Sequence, residues 1–192
     1  MKNIVIDNLL TQESIVLIKD IIDLELKREN IWVESGIHYL LKKEDPGYVH
    51  KKEDTVGVVK SDFARIDLQN LKIPEKIINE ISQKLVENNL IGYKYCKSST
   101  VMMYNKNLGN PKLTEHIDKT EDKDTIMVDY QLESNTDWGI RVEDVNYVLS
   151  DNQALIFWGN QQRHSRSFKK FNDKEFVTNI IFRFNFDENI YL

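Results

Sequence analysis

The sequence predicts an α+β chain in which helices precede an all-β half, and three observations carry that prediction. Two stretches in the first half place apolar residues at spacings of three and four. From residue 93 onward the period shortens toward two. Turn-forming residues then separate short runs rich in β-branched and aromatic side chains. Short strands in such a series close into a sandwich or barrel, and a jelly roll is the expected architecture. The 192 residues suit a single domain. Residues 1–92 supply helical support and a possible lid, and residues 93–192 supply the β core.

The first helix is expected over about 11 to 28. Ile15, Ile18, Ile22 and Leu26 form its stripe, Lys19, Asp20 and Lys27 lie off it, and Thr11 can cap its start. Residues 31 to 72 carry charged clusters such as Lys42-Lys43-Glu44-Asp45-Pro46-Gly47, which read as turns in a lid or a disordered loop. A second helix is expected from about Pro74, at its first position, to Glu87, with Ile77, Ile78, Ile81 and Leu85 facing inward. Strands are expected at Tyr93 to Cys96, Thr100 to Tyr104, Thr125 to Tyr130, Ile140 to Val142, Tyr147 to Leu149, Ala154 to Trp158 and Phe176 to Phe186.

Composition removes several classes of function. With 26 Lys+Arg against 31 Asp+Glu, the net charge of −5 argues against a partner such as duplex nucleic acid held by a broad basic surface. One cysteine, Cys96, excludes an internal disulfide framework and a Cys-rich zinc site. No apolar run approaches the roughly 18 residues of a membrane span, and the N-terminus lacks a signal-peptide pattern. A cytoplasmic protein is expected.

Chemistry concentrates in a few positions. His116-Ile117-Asp118 sets an imidazole and a carboxylate two residues apart, so an extended backbone points both the same way. His164 follows just after the apolar strand Ala154 to Trp158. Two imidazoles and one carboxylate make the facial triad of non-haem Fe(II) oxygenases, which leaves metal positions open for other ligands. His-x-Asp alone is more often a hydrated turn than a metal site, so the arrangement around it decides.

That arrangement resembles the Fe(II)/2-oxoglutarate-dependent dioxygenase superfamily, in its prolyl-hydroxylase-like form, over about residues 95 to 186. Val101-Met102-Met103-Tyr104-Asn105 resembles the strand before the metal motif, and Gly109-Asn110-Pro111-Lys112-Leu113 the turn leading into it. Trp138 to Val142 followed by Tyr147 to Leu149 resembles the central hairpin. Asp151 to Phe157 resembles the strand before the distal histidine. The resemblance implies a double-stranded β-helix (a jelly roll) with supporting N-terminal helices. His116, Asp118 and His164 match its iron ligands. It also implies Fe(II), 2-oxoglutarate as co-substrate, O₂, and hydroxylation of a C–H bond in an unidentified small-molecule or peptide substrate. The carboxylate at Asp118 argues against the halogenase variant of the family.

The co-substrate anchor departs from the pattern. The family usually places Arg or Lys at the start of the last strand, where this chain has Phe176-Val177-Thr178-Asn179. Lys174, ten residues after His164, reads as part of a turn. Pleat parity suggests another arrangement. If the segment after His164 pairs with the last strand through a turn near Asp173, then His164, Arg166 and Phe168 face inward. On the partner strand Val177, Asn179, Ile181 and Arg183 then face inward too. Arg166 is the expected partner of the distal carboxylate, because a buried carboxylate needs a cation and Arg offers a two-pronged fork. Arg183 is the second candidate, and Tyr104 and Asn179 are further candidate donors. Two other readings stay open: a non-enzymatic jelly-roll binding module, and a cupin-type metalloprotein that does not use 2-oxoglutarate.

Overall fold

The computed structural model describes residues 2–27, 38–39, 65–69, 71–106, 111–118 and 124–187. The described elements run β1 (Ile4–Ile6), α1 (Gln12–Leu26), β2 (His38–Tyr39), β3 (Ile66–Gln69), α2 (Glu75–Glu87), β4 (Tyr93–Asn105), β5 (Leu113–His116), β6 (Thr125–Ser134), β7 (Ile140–Val142), β8 (Val145–Tyr147), β9 (Gln153–Phe157), β10 (His164–Arg166) and β11 (Phe176–Phe186). They form two sheets. The larger has the order β1-β9-β6-β11-β4-β3-β2 and the smaller β5-β10-β7-β8. Every neighbouring pair is antiparallel.

The helices form where the apolar stripes predict them. Thr11 caps α1 by accepting the Ser14 N–H at 3.4 Å. Pro74 precedes α2 rather than opening it: its backbone is extended, and its carbonyl accepts from Ile77 and Ile78. Having no N–H, proline loses nothing at either position. Ser14 Oγ donates to Glu80 at 2.6 Å, which ties the two helices together.

Ile18, Ile22, Ile77, Ile81 and Leu85 pack on one face of the large sheet, against Val101, Ile126, Val128, Ile156, Ile180 and Phe182. Each such residue, once fully buried, contributes roughly 1.5–3 kcal/mol. The other face of that sheet meets the small sheet. Met102, Tyr104, Met127, Leu155, Phe157, Val177 and Ile181 there join Trp138, Ile140, Val142 and Phe171 in a second core. The central strands are therefore buried on both sides, and most residues of β6 and β11, polar ones included, are shielded from water.

Several expectations need correction. The two runs at Tyr93 to Cys96 and Thr100 to Tyr104 are one strand, β4. β1 went unread because three residues carry too little pattern, although it pairs with β9 at the sheet edge. The segment after His164 does not pair with the last strand. β10 pairs with β5 and β7, whereas β11 pairs with β4 and β6. Residues 167–175 cross from one sheet to the other instead of closing a hairpin. Phe168 lies in that crossing and is exposed, not inward. Of the expected lid, only β2, Arg65, β3, Leu71 and Lys72 are described, and β2 and β3 extend the large sheet. The rest of it lies outside the described residues. No helix among the described residues is long and apolar enough to cross a membrane.

Candidate metal centre

The three candidate ligands come from two adjacent strands of the small sheet. His116 ends β5, Asp118 follows two residues later, and His164 begins β10. His164 and His116 are direct cross-strand partners, with ring centroids 4.2 Å apart. Asp118 Oδ1 lies 3.4 Å from His116 Nε2 and 3.6 Å from His164 Nε2. One ligand atom from each of the three falls within 4.8 Å of the others.

Both imidazoles are oriented in the same way. His116 Nδ1 is 2.8 Å from the carbonyl of Thr114, and His164 Nδ1 is 3.1 Å from that of Gln162. A carbonyl only accepts, so each Nδ1 carries a proton, and each Nε2, once deprotonated, aims its lone pair at the centre. Asp118 is seated by its own backbone, whose N–H donates to the Gly159 carbonyl at 2.8 Å. A Cβ at Gly159 would sit 2.8 Å from Asp118 Oδ2, so only glycine leaves the carboxylate its place. Asp118 Oδ2 is buried without a hydrogen-bond partner among the described residues, which a cation at the centre would answer. The donor set of two neutral nitrogens and one carboxylate fits a divalent transition metal with open positions.

The titration behaviour follows this geometry. The hydrogen bond with Asp118 raises His116 above the ordinary imidazole value, against the effect of its burial. Burial pushes Asp118 upward, but the hydrogen bond from His116 and the charges of His164, Arg183 and His116 outweigh it, and the carboxylate is held below its ordinary range. Desolvation lowers His164, which favours its neutral, ligating form.

The remaining candidates surround the space between the sheets. Arg166 is buried and already engaged: Nη2 donates to Asp129 Oδ2 at 2.7 Å and Nη1 to the Trp138 carbonyl at 2.9 Å. Arg183 is half-buried and donates from Nη1 to Thr100 Oγ1 at 3.4 Å, and its charge reaches Asp118. Asn179 is fully buried and donates to Asp129 Oδ1 at 3.3 Å and to Gln131 Oε1 at 2.7 Å. Tyr104 packs edge-on against Trp138 with centroids 4.7 Å apart, and its hydroxyl accepts from Arg65 Nη1 at 3.2 Å. Lys174 is exposed in the turn before β11. Asn179 and Arg183 do share the inward face of β11 with Val177 and Ile181, but they look across at β10 from the opposite sheet and are not its ladder partners.

Sequence reasoning missed Asp129, Gln131, Gly159 and Arg65. Asp129 had a signal: it is the one charged residue in Thr125-Ile126-Met127-Val128-Asp129-Tyr130-Gln131-Leu132, a run too apolar to expose it. Gly159 and Arg65 carried none, because both matter through contacts distant in sequence.

No family model matches the sequence, and no curated protein is significantly similar to it. Solved structures do share its fold. A prolyl-4-hydroxylase of Pseudomonas putida superposes with a TM-score of 0.53 at 10% identity, covering 95% of this chain and 91% of that one. SnoN, a non-heme alpha-ketoglutarate-dependent epimerase of nogalamycin biosynthesis, gives 0.62 at 8%, covering 95% and 78%. SnoK, a carbocyclase of the same description and biosynthesis, gives 0.61 at 9%, covering 95% and 79%. At such identities the likeness is one of fold, and the described residues of this chain form two antiparallel sheets and two helices.

Proposed function

We propose that this chain is an Fe(II)- and 2-oxoglutarate-dependent oxygenase on a jelly-roll scaffold that hydroxylates a C–H bond of a small-molecule or peptide substrate. The observation that carries the proposal is the convergence of His116 Nε2, His164 Nε2 and Asp118 Oδ1 on one point, beside a buried Asp118 Oδ2 that lacks a partner. The fold shared with two enzymes described as non-heme and alpha-ketoglutarate-dependent supports it. Those two act as an epimerase and a carbocyclase, so the outcome at the C–H bond is a separate part of the proposal.

In this reading His116, Asp118 and His164 would hold the iron, since two imidazoles and one carboxylate leave positions open for further ligands. When bound, iron and 2-oxoglutarate supply the oxidising chemistry, with succinate and CO₂ released. The protein's own residues do the rest. The Thr114 and Gln162 carbonyls keep both Nε2 atoms aimed at the centre. Phe157, whose ring lies tilted at 60° with its centroid 5.1 Å from that of His164, and Met127 and Val142 keep water from one side of it. Arg183, with the Thr100 hydroxyl, is the better placed cation for the distal carboxylate of 2-oxoglutarate. Arg166 has its charge answered by Asp129, and a second carboxylate there would leave a net buried negative charge.

The test is anaerobic addition of Fe(II) and 2-oxoglutarate to the apoprotein, followed by the visible spectrum. A weak charge-transfer band that needs both additions, and is lost in His116→Ala and His164→Ala, is expected. Iron binding without the band would favour a metalloprotein that does not use 2-oxoglutarate. No iron binding would favour a binding module.

A further inference from the structure

We infer that the buried Asp129–Arg166 ion pair is a positioning device that sets the backbone carrying His164, an inference that rests on the metal reading above. His164 and Arg166 are alternate residues of β10, so both project between the sheets, at 5% and 4% exposure. β10 has only three residues. Its register against β5 shifts between His164, opposite His116, and Arg166, opposite Leu113. Against β7 only His164 and Ser165 are in register. A strand this short and irregular is weakly specified by its ladders alone.

Arg166 supplies what the ladders lack. Its guanidinium crosses from the small sheet to the large one and donates to Asp129 Oδ2 at 2.7 Å. The same group donates to the Trp138 carbonyl at 2.9 Å and lies 5.1 Å from the centre of the Trp138 ring. Asp129, with no exposed surface, is held in turn: its Oδ1 accepts from Asn179 Nδ2 at 3.3 Å, and Asn179 also donates to Gln131 at 2.7 Å. Asp129 and Asn179 sit on β6 and β11, neighbours along most of their length in the large sheet. The shortest strand of the metal site is thereby tied to the best-anchored part of the fold.

The choice of a charged pair points the same way. A buried ion pair stabilises no better than apolar groups of equal volume, because desolvation offsets most of its attraction. Two directional hydrogen bonds and the cation–π contact with Trp138 fix an orientation that apolar contacts leave free. The position of His164 is therefore the property the pair governs, and overall stability is not.

The experiment compares wild type, Arg166→Lys and the double variant Asp129→Leu with Arg166→Met, using Co(II) as the metal probe. Calorimetry gives its affinity, the visible spectrum its coordination geometry, and thermal denaturation the stability of each apoprotein. The double variant removes both charges and is expected to melt near wild type, yet to bind Co(II) about 10–100-fold more weakly with an altered spectrum. Arg166→Lys keeps the charge pair but loses the two-donor guanidinium fork; its affinity is expected to fall about fivefold to tenfold. Wild-type affinity and spectrum in a folded double variant would overturn the inference. Should the double variant not fold, Arg166→Lys decides alone, and unchanged Co(II) binding there overturns it. Wild type that binds no Co(II) would overturn the metal reading as well, whereas wild-type binding with unaffected variants sinks this inference alone.

Discussion

Gly159→Ala isolates one contact at the candidate metal centre. Gly159 has an ordinary backbone conformation, so alanine adopts it without strain and any effect is steric. The new Cβ would lie 2.8 Å from Asp118 Oδ2 and 2.8 Å from Met127 Cγ. Comfortable carbon contacts begin near 3.5 Å, so each neighbour must retreat by about 0.7 Å. Met127 is a flexible thioether. Asp118 is less free, since its N–H is bonded to the Gly159 carbonyl and its Oδ1 faces both imidazoles. Overpacking costs about 1–3 kcal/mol, and the stiffer unfolded chain returns about 0.4–1 kcal/mol. A net loss of about 0.5–2 kcal/mol should lower the melting temperature of a chain this size by roughly 1–8 °C. A displaced ligand should weaken metal binding by about 10–100-fold, or roughly 1.4–2.8 kcal/mol. Metal titration and calorimetric melting on the same preparation read both quantities. A lower melting temperature with unchanged metal affinity would show that Met127 alone gives way, and that Gly159 does not seat Asp118.

Three further outcomes are expected. Arg183→Met should raise the 2-oxoglutarate concentration needed for half-maximal formation of the charge-transfer band by at least about tenfold, a loss of one charge-assisted contact; an unshifted titration would remove Arg183 as the anchor. Metal affinity should fall as pH is lowered, beginning above 6.5, because His116 holds its proton more tightly than a free imidazole and must release it to ligate. In the metal-free protein the raised His116 adds stability that is present below pH 6.5 and lost as pH rises through its folded value, whereas the lowered His164 acts oppositely: its contribution is present above 6.5 and lost as pH falls through its folded value. A metal affinity flat between pH 5.5 and 8 (about the range in which histidine titrates) would contradict this assignment. Ile81→Ala, at a fully buried position between α2 and the large sheet, should cost about 2–5 kcal/mol in urea denaturation without changing metal affinity per folded molecule; a loss below about 1 kcal/mol would mean that the helix is not anchored there.

Much of this architecture lies in local pattern. The stripes of α1 and α2, the change of period at residue 93 and the span of β11 follow from backbone geometry and from which faces are buried, and both act over a few residues. The same locality aims His116 and Asp118 to one side, since alternate residues of an extended chain point together. It also places Asn179 and Arg183 on one face of β11 with Val177 and Ile181.

Sheet membership was decided only in three dimensions. Proximity in sequence suggests a hairpin between β10 and β11, yet a nine-residue crossing sends them to opposite sheets. That single difference pairs His164 with His116, turns Phe168 to the surface and faces Arg166 toward Asp129, 37 residues away. Asp129 shows itself locally only as a charge in an apolar run, and Gly159 and the orphaned Asp118 Oδ2 have no local signature, because packing across the two sheets defines their roles. Residue type and spacing thus set which chemistry the chain can offer. Which groups meet is settled by long-range burial, where desolvation makes every unpaired polar atom costly and so selects its partner.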